Sequence, residues 1–337
     1  MVSIVNALVI RVVEYGTPIK GRRKRTGALV VEGRSYGIEH HSIRNPLWTA
    51  NMRPIKVRGF PRYRKTVQRA VLGLLIAIIT LWSVGPIYWI FITGLKDSEE
   101  VYLNPPTLFP QRLTFESIKY IFTERPFAYY LRNSSIVAVS TVFISTSFAT
   151  LAGYAFAKFG FRGKAIWLLL ILLTRTVPPA SLLVPFYVMG RALGLINTHI
   201  ILIAGYVYLT LPLNIWIIIG FFEQFPDALI EAAEIDGCSR VSALFRVVLP
   251  SVLPALTAVG IITFMLAWNE LLYGVVLVNT KAAKTLSPGL TDFFGDFHIF
   301  WNQLSAATVF AILPAILFTV FFSRYLMSGL VRGALKG

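Results

Sequence analysis

Glu231-Ala232-Ala233-Glu234-Ile235-Asp236-Gly237, followed by Val247-Val248-Leu249-Pro250, is a short charged stretch lying between two long apolar runs. Its residues favour helix as far as Gly237, which supplies the left-handed conformation that commonly ends one. Pro226 suits a first helical turn, where its missing N–H has no partner to lose, and Asp227 is favoured by the helix dipole. Ser239 is placed to cap a second short helix, Arg240–Val248, stopped by Pro250. Asp227, Glu231 and Glu234 fall on one helical face. The expectation is a helix–turn–helix knob with an acidic face, spanning about residues 223–250. Such a knob is a place where force from a soluble partner can enter a membrane.

The flanking runs decide what lies around it. Of 337 residues, 55% are hydrophobic and 14% charged, against about 25% charged in a soluble domain. Residues 70–95 carry no charge, and neither do 133–157. The third run, about 165–189, is interrupted by Arg175, and the fifth, about 251–278, by Glu270. The fourth lies at about 199–222 and the sixth at about 301–323. Each reaches the roughly 20 residues that carry a helix across about 30 Å of hydrocarbon. Without water to satisfy the backbone at that depth, helices are the expected form. The fold class is therefore all-α: a polytopic membrane protein of six transmembrane helices with a helix–turn–helix in one loop.

An even span count puts both termini on one side. Segments on that side hold 15 Lys/Arg and those on the other hold 8 over a similar length. The positive-inside rule then makes the termini and the knob cytoplasmic, in a cell or inner membrane.

The net charge of +16 comes largely from residues 1–68, with 14 Lys/Arg and 3 Asp/Glu. Gly21-Arg22-Arg23-Lys24-Arg25 raises nucleic acid as a partner. Basic segments before a first span serve orientation and contact with anionic membrane lipid, which is the better reading and excludes nucleic acid. Residues 1–65 show no helical period and read as a disordered cytoplasmic extension, with the six-helix membrane body at 66–337. A start of translation at Met52 is an equal alternative, leaving a short basic leader. In either case residues 1–51 are expected to be dispensable.

Catalytic chemistry is not in view. Cys238 is the sole cysteine and four His are scattered, so no metal site or cofactor is expected. Neither Gly-x-x-x-x-Gly-Lys-Ser/Thr nor His-Glu-x-x-His occurs, so the chain reads as a non-enzyme. Beyond the spans, Thr114 is positioned to cap a short helix over Phe115–Thr123, and Gly194 and Asn197 to set the turn between the third and fourth spans.

Two places inside the spans carry polar interest. Arg175 sits near mid-depth, before Val177-Pro178-Pro179; a charge there costs about 2.5–3.5 kcal/mol on insertion scales. It faces a polar pathway or pairs between helices, and both readings stand. Glu270 lies close to the outer interface. Trp268 and Asn269 lie deeper, where a Trp face stacks on sugar C–H groups and Asn offers donor and acceptor to hydroxyls. A membrane-interface anchor is the competing role for Trp268. Together with Tyr206, Tyr208 and Asn214 these residues suggest a path for neutral, hydroxylated cargo.

Glu231, Ala232, Ala233, Gly237, Leu249 and Pro250 also match, at full spacing, the signature of the membrane subunits of binding-protein-dependent ABC importers, with Val247 where Ile is commoner. About residues 66–337 resemble the second permease subunit of the carbohydrate branch. Asn133-Ser134-Ser135, Tyr154-Ala155-Phe156-Ala157-Lys158, Trp268-Asn269-Glu270 and Thr285-Leu286-Ser287-Pro288-Gly289-Leu290 carry the likeness. The resemblance implies a heterodimer with a second permease, two cytoplasmic ATP-binding subunits and an extracytoplasmic sugar-binding protein. It also implies that ATP-driven closure pushes on Glu231–Pro250 while a sugar, oligosaccharide or polyol crosses. The same machine with phosphate or peptide as cargo is the alternative, and a secondary carrier is a weaker one because it leaves the knob unexplained.

Overall fold

The computed structural model describes residues 62–295 and 298–334. It divides into two compact units, residues 1–84 and 85–337. The first is described from Arg62 onward, as the beginning of helix α1 (Arg62–Thr93). The helix thus takes in Arg62–Lys65, which the sequence reading placed in the tail. The rest of the expected tail, with the Met52 question, lies outside the described residues.

In the second unit the chain runs through α2 (Glu116–Thr123), α3 (Phe127–Lys158), α4 (Lys164–Leu173), α5 (Leu183–Ala192) and α6 (His199–Glu223). It continues through α7 (Asp227–Ile235), α8 (Arg240–Ala243), α9 (Leu249–Trp268), α10 (Leu272–Leu277), α11 (Leu286–Leu290) and α12 (Trp301–Ala334). Every regular element among the described residues is helical, as the apolar runs require.

Among the described residues, five stretches are long and apolar enough to cross a membrane: Val67–Thr93, Phe127–Lys158, His199–Glu223, Arg240–Trp268 and Trp301–Phe318. The expected sixth is corrected at the third run. That run breaks after Leu173 and resumes through a 3₁₀ turn, Pro179–Leu182, into α5. Pro178 and Pro179 have no N–H to give, so an unbroken ladder cannot pass them. The fifth run is corrected too: it ends at Trp268 rather than near 278, and the chain turns at Asn269–Leu271 before α10.

Helices α3, α6 and α9 form the centre, the α3–α6 pair making the most extensive contact. Lipid tails are as apolar as leucine, so polar groups and close packing must hold such helices together. Asn214 does this from α6, with no exposed surface. Its Nδ2 donates to Ser145 Oγ on α3 and Thr263 Oγ1 on α9, both at 2.8 Å. Thr263 Oγ1 donates back to Asn214 Oδ1 at 3.2 Å, and Thr210 Oγ1 donates to Ser145 Oγ at 3.0 Å.

Apolar clusters lie either side of this clamp. One, with Tyr154, Phe222, Ile230, Ala233 and Val248, sits at the knob end. The other, with Tyr130, Trp268, Tyr273 and Leu286, sits at the far end. There Asn133 Nδ2 donates to the carbonyls of Lys281 and Lys284, and Ser134 Oγ accepts from Leu286 N–H at 2.7 Å. Tyr130 donates to Asp292, which also pairs with Lys284. A Cβ on Gly289 would come within 2.2 Å of the Tyr130 ring, so glycine alone fits. The motif pieces at 133–135 and 285–290 therefore meet in space. At the same end Thr114 Oγ1 accepts from Glu116 N–H, but the N-cap of α2 is Phe115 rather than the expected Thr114, and the helix starts one residue later than expected. Gly194 and Asn197 adopt φ of 67° and 63°, forming the predicted turn.

Two outcomes follow. Asn214→Ala leaves Ser145 and Thr263 without their shared partner. Interhelical hydrogen bonds in membranes average about 0.6 kcal/mol, so losing this cluster should lower stability by about 1–2 kcal/mol, read by unfolding in detergent. Glu100, buried in the segment between α1 and α2, provides a pH test. Burial opposes its charge, but donation from the Thr107 hydroxyl and the Gln111 and Arg112 N–H groups, with Lys96 nearby, holds its carboxyl below the ordinary 4.5. A depressed folded value gives stability above 4.5 that is lost as pH falls through it. Proteolysis of residues 97–113 should rise on acidification, and Glu100→Gln should remove that dependence.

Candidate functional site

The knob is built from α7, a glycine turn and α8. Pro226 is the N-cap of α7 rather than its first helical residue, with φ −62° and ψ 126°. Ile230 and Ala233 face inward into the apolar cluster. The helix closes in a Schellman arrangement: Cys238 N–H donates to Ala233 O at 2.9 Å and Gly237 N–H to Glu234 O at 3.0 Å. That geometry requires a left-handed residue, and Gly237 has φ +90°. Ser239 Oγ accepts from Ser242 N–H at 3.2 Å, so the predicted cap forms.

The expected stop at Pro250 does not occur. Residues Leu244–Val248 make a π turn, and the chain passes straight into α9, giving one helix from Arg240 to Trp268. Leu249 N–H reaches back to Leu244 O, five residues away. The widened turn accommodates Pro250, which cannot bond to residue 246 in the usual α pattern. The second helix of the knob is thereby the start of a membrane span.

The acidic face also needs correction. Asp227 pairs with Lys158 at 2.6 Å and Glu234 with Arg240 at 2.9 Å. Glu231 and Ala232 stand exposed. Among these charges the knob also presents apolar side chains: Leu229, Ile235, Val241 and Phe245 are all exposed, Ile235 to 86%. The sequence reading missed this patch, although an isoleucine among acids at 235 was a visible sign. An exposed apolar patch on a polar loop marks a surface that docks a partner.

Helix α3 holds the knob at two points. Lys158 Nζ donates to Phe225 O at 2.7 Å as well as to Asp227, and Tyr154 Oη donates to Arg240 O at 3.2 Å.

The membrane-embedded candidates separate. Trp268 is 4% exposed, stacked on Phe264, and its Nε1 donates to Ala311 O at 3.1 Å. Its face is closed within this chain, so the stacking platform expected of it is absent. Asn214 is the interhelical clamp, and Tyr206 is buried. Asn269 is exposed, with Nδ2 donating to Met265 O. Glu270 is no bystander: its carboxylate accepts from Tyr273 and Gly274 N–H, capping α10. Arg175 lies in the break after α4, exposed, with Nη1 donating to Leu209 O at 2.6 Å. The break's own carbonyls are met by side chains, Thr174 O by Tyr208 Oη and Pro179 O by Tyr273 Oη.

The helical polytopic core, with a loop knob running unbroken into a span, agrees with the resemblance to the membrane subunits of ABC importers. Residues 128–332 match the family "Binding-protein-dependent transport system inner membrane component", and the chain belongs to it. Its relatives include the sulfoquinovosyl glycerol transport system permease protein SmoH of Agrobacterium fabrum, 36% identical over 77% of this chain and 92% of that one. The trehalose/maltose transport system permease protein MalG of Thermococcus litoralis is 32% identical over 79% and 95%. A bacterial ABC transporter involved in the import of the acidic polysaccharide alginate shares the fold, with TM-score 0.69, 21% identity and coverage of 78% and 97%.

Backbone strain at the turn gives a direct test. A Cβ on Gly237 would meet nothing within 4 Å, so substitution is penalised by conformation alone. Gly237→Val should cost about 1–2 kcal/mol or more, while Gly237→Asn, which tolerates the left-handed region, should cost less in thermal unfolding.

Proposed function

We propose that this chain is the permease subunit through which an ABC importer moves a saccharide or polyol, driven by ATP hydrolysed on separate cytoplasmic subunits. It performs no catalysis of its own. The observation that carries the reading is the knob: an exposed apolar surface, closed by the Gly237 turn and covalently continuous with α9. A docked ATPase pressing on Leu229, Ile235 and Val241 would move α9 directly through the π turn and α3 through Lys158 and Tyr154. Glu231, Ala232, Ala233, Gly237, Leu249 and Pro250 are thus the coupling residues: Ala233 and Gly237 shape the turn, Glu231 and Ala232 face the partner, and Leu249 and Pro250 begin the span.

The saccharide class is supported by relatives named for sulfoquinovosyl glycerol and trehalose/maltose transport; nothing favours phosphate or peptide. The remaining partners are a second permease, completing the pathway as a heterodimer, and an extracytoplasmic binding protein. With the broken third run crossing as α4 and α5, the Lys and Arg bias supports a cytoplasmic side for the knob and both termini.

Coupling is tested at the tie rather than at the docking surface. Lys158→Met should leave the assembled complex able to hydrolyse ATP while uptake of sugar by proteoliposomes falls roughly tenfold, as expected when a buried charged hydrogen bond is cut. Lys158→Arg should restore much of it. Equal loss of hydrolysis and uptake, or no loss of either, would count against the coupling role.

A further inference from the structure

Polar groups that the sequence offered to a neutral path are mostly withdrawn by the fold. Asn214, Tyr206 and Trp268 are 0%, 1% and 4% exposed and serve packing. Tyr208 spends its hydroxyl on Thr174 O. Thr174 and Thr176 turn theirs back onto carbonyls of their own helix turn. What remains exposed is Asn269 and Arg175.

From this we infer that the cargo carries an anionic group, and that Arg175 is the cation it pairs with in crossing. The inference rests on the saccharide reading and narrows it to acidic saccharides, such as those bearing a carboxylate or sulfonate. Arg175 follows α4 by two residues, about 15 Å into the run that began at Lys164, near half the hydrocarbon thickness. A charge at that depth faces a water-filled cavity or a partner rather than lipid. Among the described residues no carboxylate pairs with it; the three ion pairs lie at Lys158, Arg240 and Lys284. One guanidinium N–H goes to Leu209 O, leaving most of its five donors open.

Chemistry then selects the ligand. Neutral hydroxyls are well served by amides and hydroxyls, and an unpaired cation in a dry passage is costly. A ligand that brings its own negative charge gains a charge-assisted hydrogen bond, bidentate where the anion is a carboxylate. A lone cation also suits transport, because a pathway contact must be weak enough to release its cargo. The proline break supports the residue in this role. The helical ladder tightens to three-residue turns at Arg175 and Thr176 and stops before Pro178, and the Leu209 bond fixes the guanidinium beside that break.

The test uses the whole importer with its binding protein in proteoliposomes, supplied with size-matched neutral and acidic probes: glucose against glucuronate, and cellobiose against cellobiouronate. Wild type should take up the acidic member of a pair in preference to the neutral one. Arg175→Gln, which keeps a donor for Leu209 O but loses the charge, should cut acidic uptake roughly tenfold or more. Arg175→Lys should retain most of it, and co-purification with the ATPase subunits confirms assembly of each variant. Preference for neutral probes overturns the inference while leaving the saccharide reading intact. So does wild-type acidic uptake by Arg175→Gln, the result expected if a carboxylate of the second permease neutralises Arg175 instead. If no saccharide of either kind drives uptake, the saccharide reading falls and this inference falls with it.

Discussion

Three helices meet at Asn214, and the rest of the membrane body depends on that meeting. One side chain on α6 bonds to α3 and α9 at once, where hydrocarbon provides no hydrophobic drive to bring helices together. Each partner is a small hydroxyl residue, which lets the backbones approach. The clamp lies between the two apolar clusters, and α3, α6 and α9 each contribute residues to both.

The same solvent constraint explains where helices are permitted to fail. A break inside a membrane frees carbonyls that water cannot reach, and here the freed groups have named partners. Tyr208 and Tyr273 serve carbonyls of the break after α4, Arg175 ties that break to Leu209 O of α6, and Glu270 serves the N–H groups at the start of α10. Both interruptions are thus held in place by side chains of neighbouring elements. The π turn before Pro250 is a third solution to the same problem, since it widens the ladder instead of opening it.

At the knob, composition and geometry divided the work. The Glu-Ala-Ala…Gly spacing announced a helix, a turn and a second helix, and each is present. The acidic face it suggested is partly neutralised: Lys158, 69 residues away, pairs with Asp227 and Arg240 with Glu234, while Glu231 stays exposed. What the knob shows to a partner is set by which of its apolar residues the body leaves uncovered. Periodicity within nine residues cannot report that.

The sequence by itself determined the all-helical membrane class, the approximate spans, the left-handed turn at Gly237 and the cap at Ser239. These rest on local chemistry: apolar length, the absent Cβ of glycine, a serine hydroxyl one turn from an N–H. Tertiary structure alone decided the fate of the polar groups within the spans. Trp268, Tyr206, Asn214, Asn269 and Arg175 look alike as polar interruptions of apolar runs. Packing turned the first three inward and left the last two exposed. The reason is that orientation about a helix axis is fixed by neighbouring helices, and no linear pattern in a nearly uniform apolar segment records it.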